Sequence, residues 1–292
     1  MINDLKIIET HIHGGFGINF NNASADDLHF FARNIIKKNV IAFIPTLATD
    51  SIDNLNCALN NIKQAMQNQK EDEARILGVH LEACFLNPFK KGIHNEKYFL
   101  DLTAENFDKF SHHDIIKIVT LAPELDCGLV SYLKSKNIKV QAGHTMALNI
   151  SDIDATTHHF NAMPKPSFEN FKDYISYKAL NNNGVYCEII ADFIHNDIET
   201  LKMFFNKKNK DKIILISDAL PIACSNLDKI DFCGKTIFNN GKDANGVLGG
   251  SILTLYEIAH KLLESNILTL DEIKKMLFEN QLNYLGLNPS DF

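Results

Sequence analysis

Two histidines one residue apart, His11 and His13, follow the apolar run Leu5-Lys6-Ile7-Ile8 and lead into Gly14, Gly15 and Gly17. Side chains alternate across an extended strand, so the two imidazoles share one side of it. The glycines behind them let backbone come close to whatever sits there. Paired imidazoles at a strand end suit a bound divalent metal, although a bare His-x-His also fits two partly exposed histidines. The rest of the chain favours the metal. Further apolar runs end in Glu82, His144, His158 and Asp218, and His195 stands just past another. Imidazole and carboxylate groups suit zinc or another divalent first-row ion. Such an ion lowers the pKa of bound water towards ~7. The residues therefore predict a metal-dependent hydrolase.

Elements at regular intervals must position these groups. Apolar runs predict strands near 5–8, 40–44 (stopped by Pro45), 76–82, 115–121, 138–144, 155–160, 185–192 and 212–218. Residues 24–38 carry Leu28, Phe31, Ala32, Ile35 and Ile36 at helical spacing behind Ser24, a predicted N-cap. Further helices are expected near 51–69, 126–136, 172–183, 197–208, 252–265 and 269–280, the last opened by a Thr269/Glu272 capping box. Strands alternating with helices in this number predict an α/β fold, a (β/α)8 TIM-type barrel forming a single domain over 1–292. A doubly wound open sheet is the alternative. In such barrels catalytic groups stand at the C-terminal strand ends, which is where these residues fall. The polar, Gly-rich insert at 219–248 predicts a loop or small hairpin over one mouth.

Composition narrows the partners. The chain has 292 residues, 45% hydrophobic and 22% charged, and a net charge of -7, which argues against nucleic-acid or anionic-membrane partners. No run reaches the roughly 18 apolar residues of a membrane span, and no basic-then-apolar leader opens the chain. The six cysteines are scattered without a Cys-x-x-Cys, so free thiols and a cytoplasmic setting are expected. Arg33 and Arg75 are the only arginines.

The motifs around the strand ends are more specific. His80-Leu81-Glu82-Ala83-Cys84-Phe85-Leu86-Asn87-Pro88 is followed by Lys90-Lys91-Gly92-Ile93-His94. Leu121-Ala122-Pro123-Glu124, Ala142-Gly143-His144-Thr145 and Thr157-His158-His159-Phe160-Asn161-Ala162-Met163 come next. Ile190-Ala191-Asp192-Phe193-Ile194-His195, Ser217-Asp218-Ala219 and Gly246-Val247-Leu248-Gly249-Gly250-Ser251 complete the series. In this order, from residue 9 to about 288, they resemble the N-acetylglucosamine-6-phosphate deacetylases of the amidohydrolase superfamily.

The resemblance implies Glu82, His144 and His158 as ligands of a principal metal, most often zinc. It matches His11 and His13 to members that hold a second ion, with Glu82 bridging. His159 falls where the family has an apolar residue. Asp218 matches the catalytic aspartate, which takes a proton from water and returns it to the departing amine. His94, with the metal, would stabilise the carbonyl oxygen as it becomes an oxyanion. Ile93, His94, Asn161, Ala162, His195, Leu248, Gly249 and Gly250 match positions lining the sugar, acetamide and phosphate of the amino-sugar substrate. A homodimer is a further implication.

Three departures stand out. The family usually adds a β-sandwich from segments flanking the barrel, and this chain is expected to lack it. Ala83-Cys84 replaces Gly-Pro after Glu82, and Cys84 reads as an extra soft ligand or a packed thiol. The family's phosphate-binding arginine, eleven residues past the histidine ligand, is here Glu169, with Lys165 and Lys172 on the same loop. The departures leave two other readings: an amidohydrolase for a different, unphosphorylated N-acyl substrate, or a non-catalytic barrel binding a sugar or a partner.

Overall fold

A computed structural model describes residues 5–292; residues 1–4, included in the expected domain range, lie outside the described residues. Strands β1 (Ile7–Ile12), β2 (Val40–Ala48), β3 (Val79–Glu82), β4 (Ile116–Leu121), β5 (Lys139–Ala142), β6 (Ala155–Thr156), β7 (Tyr186–Ile190) and β8 (Ile213–Ile216) each pair in parallel with the next. The ring closes where Ile12 bridges Ala219, with Asp218 N–H donating to His11 O at 3.0 Å and His13 N–H to Ala219 O at 2.9 Å. A doubly wound sheet would reverse its strand order midway. This one runs in sequence order around a barrel.

The main helices are α1 (Ala25–Ile35), α2 (Ile52–Gln67), α3 (Leu129–Ser135), α4 (Ile175–Leu180), α5 (Ile198–Lys207), α6 (Leu255–Glu264), α7 (Leu270–Lys274) and α8 (Asn280–Leu285). Their starts follow side-chain chemistry: Ser24, Ser51, Asp197, Thr254 and Thr269 each accept a first-turn backbone N–H. Apolar spacing then turns Leu28, Phe31, Leu55, Ile62, Leu201 and Leu255 onto the strands, where they are fully buried. Each such burial stabilises the fold by roughly 1.5–3 kcal/mol relative to exposure. Inside the barrel, Ile44, Ile118, Ile190, Ile214 and Ile216 pack against Tyr284 of α8. Its hydroxyl accepts from Gln141 Nε2 at 3.1 Å, linking this apolar plug to the polar layer.

Several expectations need correction in extent. β2 continues through Pro45 instead of stopping there. Proline has no N–H for the ladder, and beside it Ile12 N–H donates to the Thr46 hydroxyl at 3.0 Å, so a side chain completes the pairing. β1 reaches Ile12, and β6 shrinks to two residues because the chain turns at His158. The last helix runs on through a π turn, Lys275–Glu279, into α8. The 219–248 insert forms a hairpin, β9 (Lys229–Phe232) and β10 (Lys235–Phe238). Among the described residues there is no β-sandwich and no helix long and apolar enough to cross a membrane.

Candidate active site

Five strands, β1, β3, β5, β6 and β8, deliver six side chains to one mouth of the barrel. Glu82, the last residue of β3, is the hub. Its Oε2 stands 3.3 Å from His11 Nε2 and 3.1 Å from His13 Nε2. Its Oε1 stands 3.3 Å from His144 Nε2 and 2.8 Å from His158 Nε2. The carboxylate thus divides the four imidazoles into two pairs. Asp218, just past β8, completes the first pair, its Oδ1 lying 3.4 Å from His11 Nε2 and 3.2 Å from His13 Nε2. All six side chains are buried.

Backbone geometry aims them. His144, His158 and Asp218 have φ values of 49°, 27° and 53°, in the left-handed region. Each such residue costs on the order of 1–3 kcal/mol and persists only where the surroundings enforce it. Here the turn breaks strand alternation and swings each side chain over the mouth. Gly250 lies against Asp218: a Cβ there would stand 2.7 Å from Asp218 O. Ser251 N–H then donates to that same carbonyl at 2.9 Å.

The imidazoles are held from behind. His13 Nδ1 lies 3.1 Å from Thr46 O, His144 Nδ1 2.8 Å from Lys90 O, and His11 Nδ1 3.1 Å from Glu188 Oε2. Carbonyl and carboxylate oxygens only accept, so each Nδ1 carries a proton and each Nε2 is the nitrogen turned inward. Glu188 also accepts from Gln141 Nε2 at 3.0 Å and from Thr10 Oγ1 at 3.3 Å.

These residues fit a cation. His144 Nε2 faces His158 Nε2 at 3.1 Å, and the buried atoms His11 Nε2 and Asp218 Oδ1 lack a hydrogen-bond partner. Ligands bound tetrahedrally at about 2.0–2.1 Å stand about 3.3–3.4 Å apart, close to the separations here. Burial acts to lower the pKa of His11, His13 and His158, yet the neighbouring carboxylates, Glu82 and Asp218 foremost, raise all three. Burial would raise Asp218, but His11 and His13 hold its carboxyl well below the usual range. The field of the site favours positive charge.

A cavity of about 320 Å³ opens above this centre, at the lower end of small-molecule sites. His94, Ile93, Asn161 and Ala162 line it, as do His195, Leu248, Gly249 and Gly250. Every residue expected to touch substrate is therefore brought to one wall or another. His94 Nδ1 is 2.8 Å from Thr49 Oγ1, and burial, with His144 beside it, pushes its pKa well down, so the ring is neutral. His195 Nδ1 lies 2.8 Å from Asp192 Oδ2, which also accepts from Ser251 Oγ at 3.1 Å. His159 turns away, with Nδ1 2.8 Å from Thr156 Oγ1 and its ring against Phe160 and Phe204. Burial pushes the Cys84 thiol up to about 12, and its Sγ contacts Asp50 O at 3.6 Å. It is a packed thiol and not a ligand.

Glu188, Asp192 and Thr49 are supports that reading the sequence missed. Asp192 lay within a quoted motif, whereas Glu188 lies inside β7 among apolar residues with no local signal. Glu188→Gln keeps the shape but removes the charge behind His11. It is expected to weaken metal affinity about 10–100-fold. Competition with a chromophoric chelator measures this, and wild-type affinity would remove Glu188 from the support.

No family model matches the chain. The N-acetylglucosamine-6-phosphate deacetylase of Bacillus subtilis (strain 168) is 31% identical over 297 residues, covering 96% of this chain and 74% of that protein. The N-acetylgalactosamine-6-phosphate deacetylase of Escherichia coli O157:H7 is 27% identical, covering 88% and 71%. The crystal structure of N-acetylglucosamine-6-phosphate deacetylase from Pasteurella multocida superposes with a TM-score of 0.87 at 26% identity, covering 97% of this chain and 76% of that one. Barrel, strand-end chemistry and relatives agree, and the chain belongs to the N-acetylglucosamine-6-phosphate deacetylase family of the amidohydrolase superfamily.

Proposed function

We propose that this chain hydrolyses the acetamide of N-acetylglucosamine 6-phosphate, releasing acetate and glucosamine 6-phosphate. The observation that carries the reading is the convergence of four histidines and two carboxylates beneath a cavity whose walls match the family's substrate positions. Glu82, His144 and His158 would hold a principal divalent ion, and His11 and His13 a second. The split of Glu82's oxygens between the two imidazole pairs supports its bridging role. When bound, the ion supplies a Lewis acid and a water poised to lose a proton near neutral pH.

The chain's own groups do the rest. Asp218, held ionised, accepts a proton from the attacking water and returns it to the amine nitrogen as the C–N bond breaks. His94 in its Nε2–H tautomer would donate to the acetamide oxygen as negative charge develops there. Asn161, His195 and the Leu248–Gly250 segment orient the sugar. Zinc as the resident ion, a cytoplasmic setting and a homodimer belong to the same proposal. The nitrogen and oxygen donor set supports zinc, and six free thiols support a reducing compartment.

Acetate release from purified protein tests the reading. N-Acetylglucosamine 6-phosphate should be turned over with a higher kcat/KM than its unphosphorylated form or N-acetylgalactosamine 6-phosphate. A preference for the galacto epimer would move the substrate to that named for the Escherichia coli relative. Preference for an unphosphorylated sugar would reject the phosphate.

A further inference from the structure

The cavity wall carries one lysine, Lys90, and a second, Lys165, stands on the turn that packs against it. Lys90 lines the cavity, and its main chain is pinned to the metal centre, since its carbonyl takes the His144 Nδ1–H at 2.8 Å. Its Nζ lies over the Phe168 ring, 5.2 Å from the centroid. Phe168 N–H donates to Lys165 O at 2.8 Å, so one short turn carries both the aromatic tray under Lys90 and the second lysine. Among the described residues neither ammonium group makes an ion pair with a carboxylate. Burial lowers the pKa of Lys90 and the charge of Lys165 lowers it further, so the two cations feel one another. The carboxyl of Asp197, two residues beyond His195, is held low by the Thr200 N–H it accepts, and the charge of Lys165 adds to this. His195 has its Nδ1 occupied by Asp192, which leaves Nε2 for the cavity it lines.

In a chain of net charge -7, two neighbouring cations without an ion-pair partner, one of them on the cavity wall, are unfavourable alone and favourable around an anion. The other basic residue of this loop is placed elsewhere: Lys172 borders a separate depression with Pro166, Asn170, Phe171 and Asp173. Glu169 is exposed and does not line the cavity, so its charge does not block an anion there.

We propose that Lys90 and Lys165 form the seat for the substrate's phosphate, with His195 Nε2 as a third donor, in place of the arginine this chain lacks. The assignment rests on the reading of the substrate as a phosphorylated amino sugar, which it deepens. Lysines act here as point charges, so recognition should be more salt-dependent than a bidentate guanidinium would make it.

The test uses the metal-loaded full chain and the variants Lys90→Met, Lys165→Met, their combination, and Lys172→Met. The readout is the ratio of kcat/KM for N-acetylglucosamine 6-phosphate to that for N-acetylglucosamine. Each single substitution in the seat should lower the ratio about tenfold and the pair about 100-fold, the loss of one and then two charge-assisted contacts. Lys172→Met should keep the wild-type ratio. A ratio within twofold of wild type in the double variant, or a loss confined to Lys172→Met, would overturn the seat while leaving deacetylation standing. If the wild type releases no acetate from either sugar, the substrate reading fails separately. Calorimetry with glucosamine 6-phosphate then decides: weaker binding by the double variant supports the seat, and equal binding overturns it.

Discussion

Asp218→Asn is expected to lower turnover of N-acetylglucosamine 6-phosphate by about two to four orders of magnitude, the usual contribution of a positioned general acid–base group. The change is isosteric, so the contacts that fix the residue survive: its backbone N–H still reaches His11 O at 3.0 Å and its carbonyl still accepts from Ser251. What is lost is the proton acceptor. In the native site Asp218 Oδ1 is buried and unpaired by ordinary hydrogen bonds, between His11 and His13. A carboxylate held ionised in that position can take a proton from water and return it to nitrogen. An amide cannot. Steady-state assay alongside elemental analysis checks this, since a folded, metal-replete variant that turns over normally would remove Asp218 from the chemistry.

Removing the hub should have an effect as large by a different route. Glu82→Ala deletes both oxygens that separate the imidazole pairs and leaves His144 and His158 with no carboxylate between them, while His11 and His13 keep Asp218. Loss of the principal ion should follow, and turnover should fall to background. His144→Ala should lose the same ion but keep the His11–His13 side of the carboxylate. Elemental analysis of both proteins gives the outcome, and full metal occupancy in both would refute the ligand assignment. Part of any loss of stability in Glu82→Ala would come from unscreened burial of the histidines. Refolding yield measured beside metal content separates the two effects.

Much of this site was legible in the sequence, for a physical reason. Barrel strands are short, local and two-sided in burial, so His11, Glu82, His144, His158 and Asp218 could be seen as polar ends on apolar runs. Once the strands close in order, those ends meet without further information. The aim of the side chains was not legible. His144, His158 and Asp218 adopt left-handed backbone, which histidine and aspartate enter more readily than most residues but still only in a small fraction of cases, so their type does not announce it. Glu188 reaches His11 across 177 positions of chain, and no pattern within β7 marks it. Pro45 read as a stop because the side chain that completes the pairing, the Thr46 hydroxyl, acts only once β1 is in place.

The loop past His158 shows the same limit. Lys165 and Lys172 were equivalent by sequence, two cations near the position of a missing arginine. The turn that joins Lys165 to Phe168 puts one beside Lys90, while the turn at Phe171–Asp173 puts the other on a different depression. His159 carries the ligand chemistry of its neighbour, but its ring packs at a tilt against Phe160 and Phe204. Residue type alone could not separate the two histidines.

Amide hydrolysis at the buried histidine and carboxylate centre is expected to depend entirely on bound metal. The most direct test is to strip the protein with a chelator, return zinc in steps, and measure bound metal and acetate released from N-acetylglucosamine 6-phosphate in the same samples. The stripped protein should show no turnover, and the rate should rise with occupancy to one or two ions per chain. Acetate release that survives complete metal removal, or none at full occupancy, would contradict it.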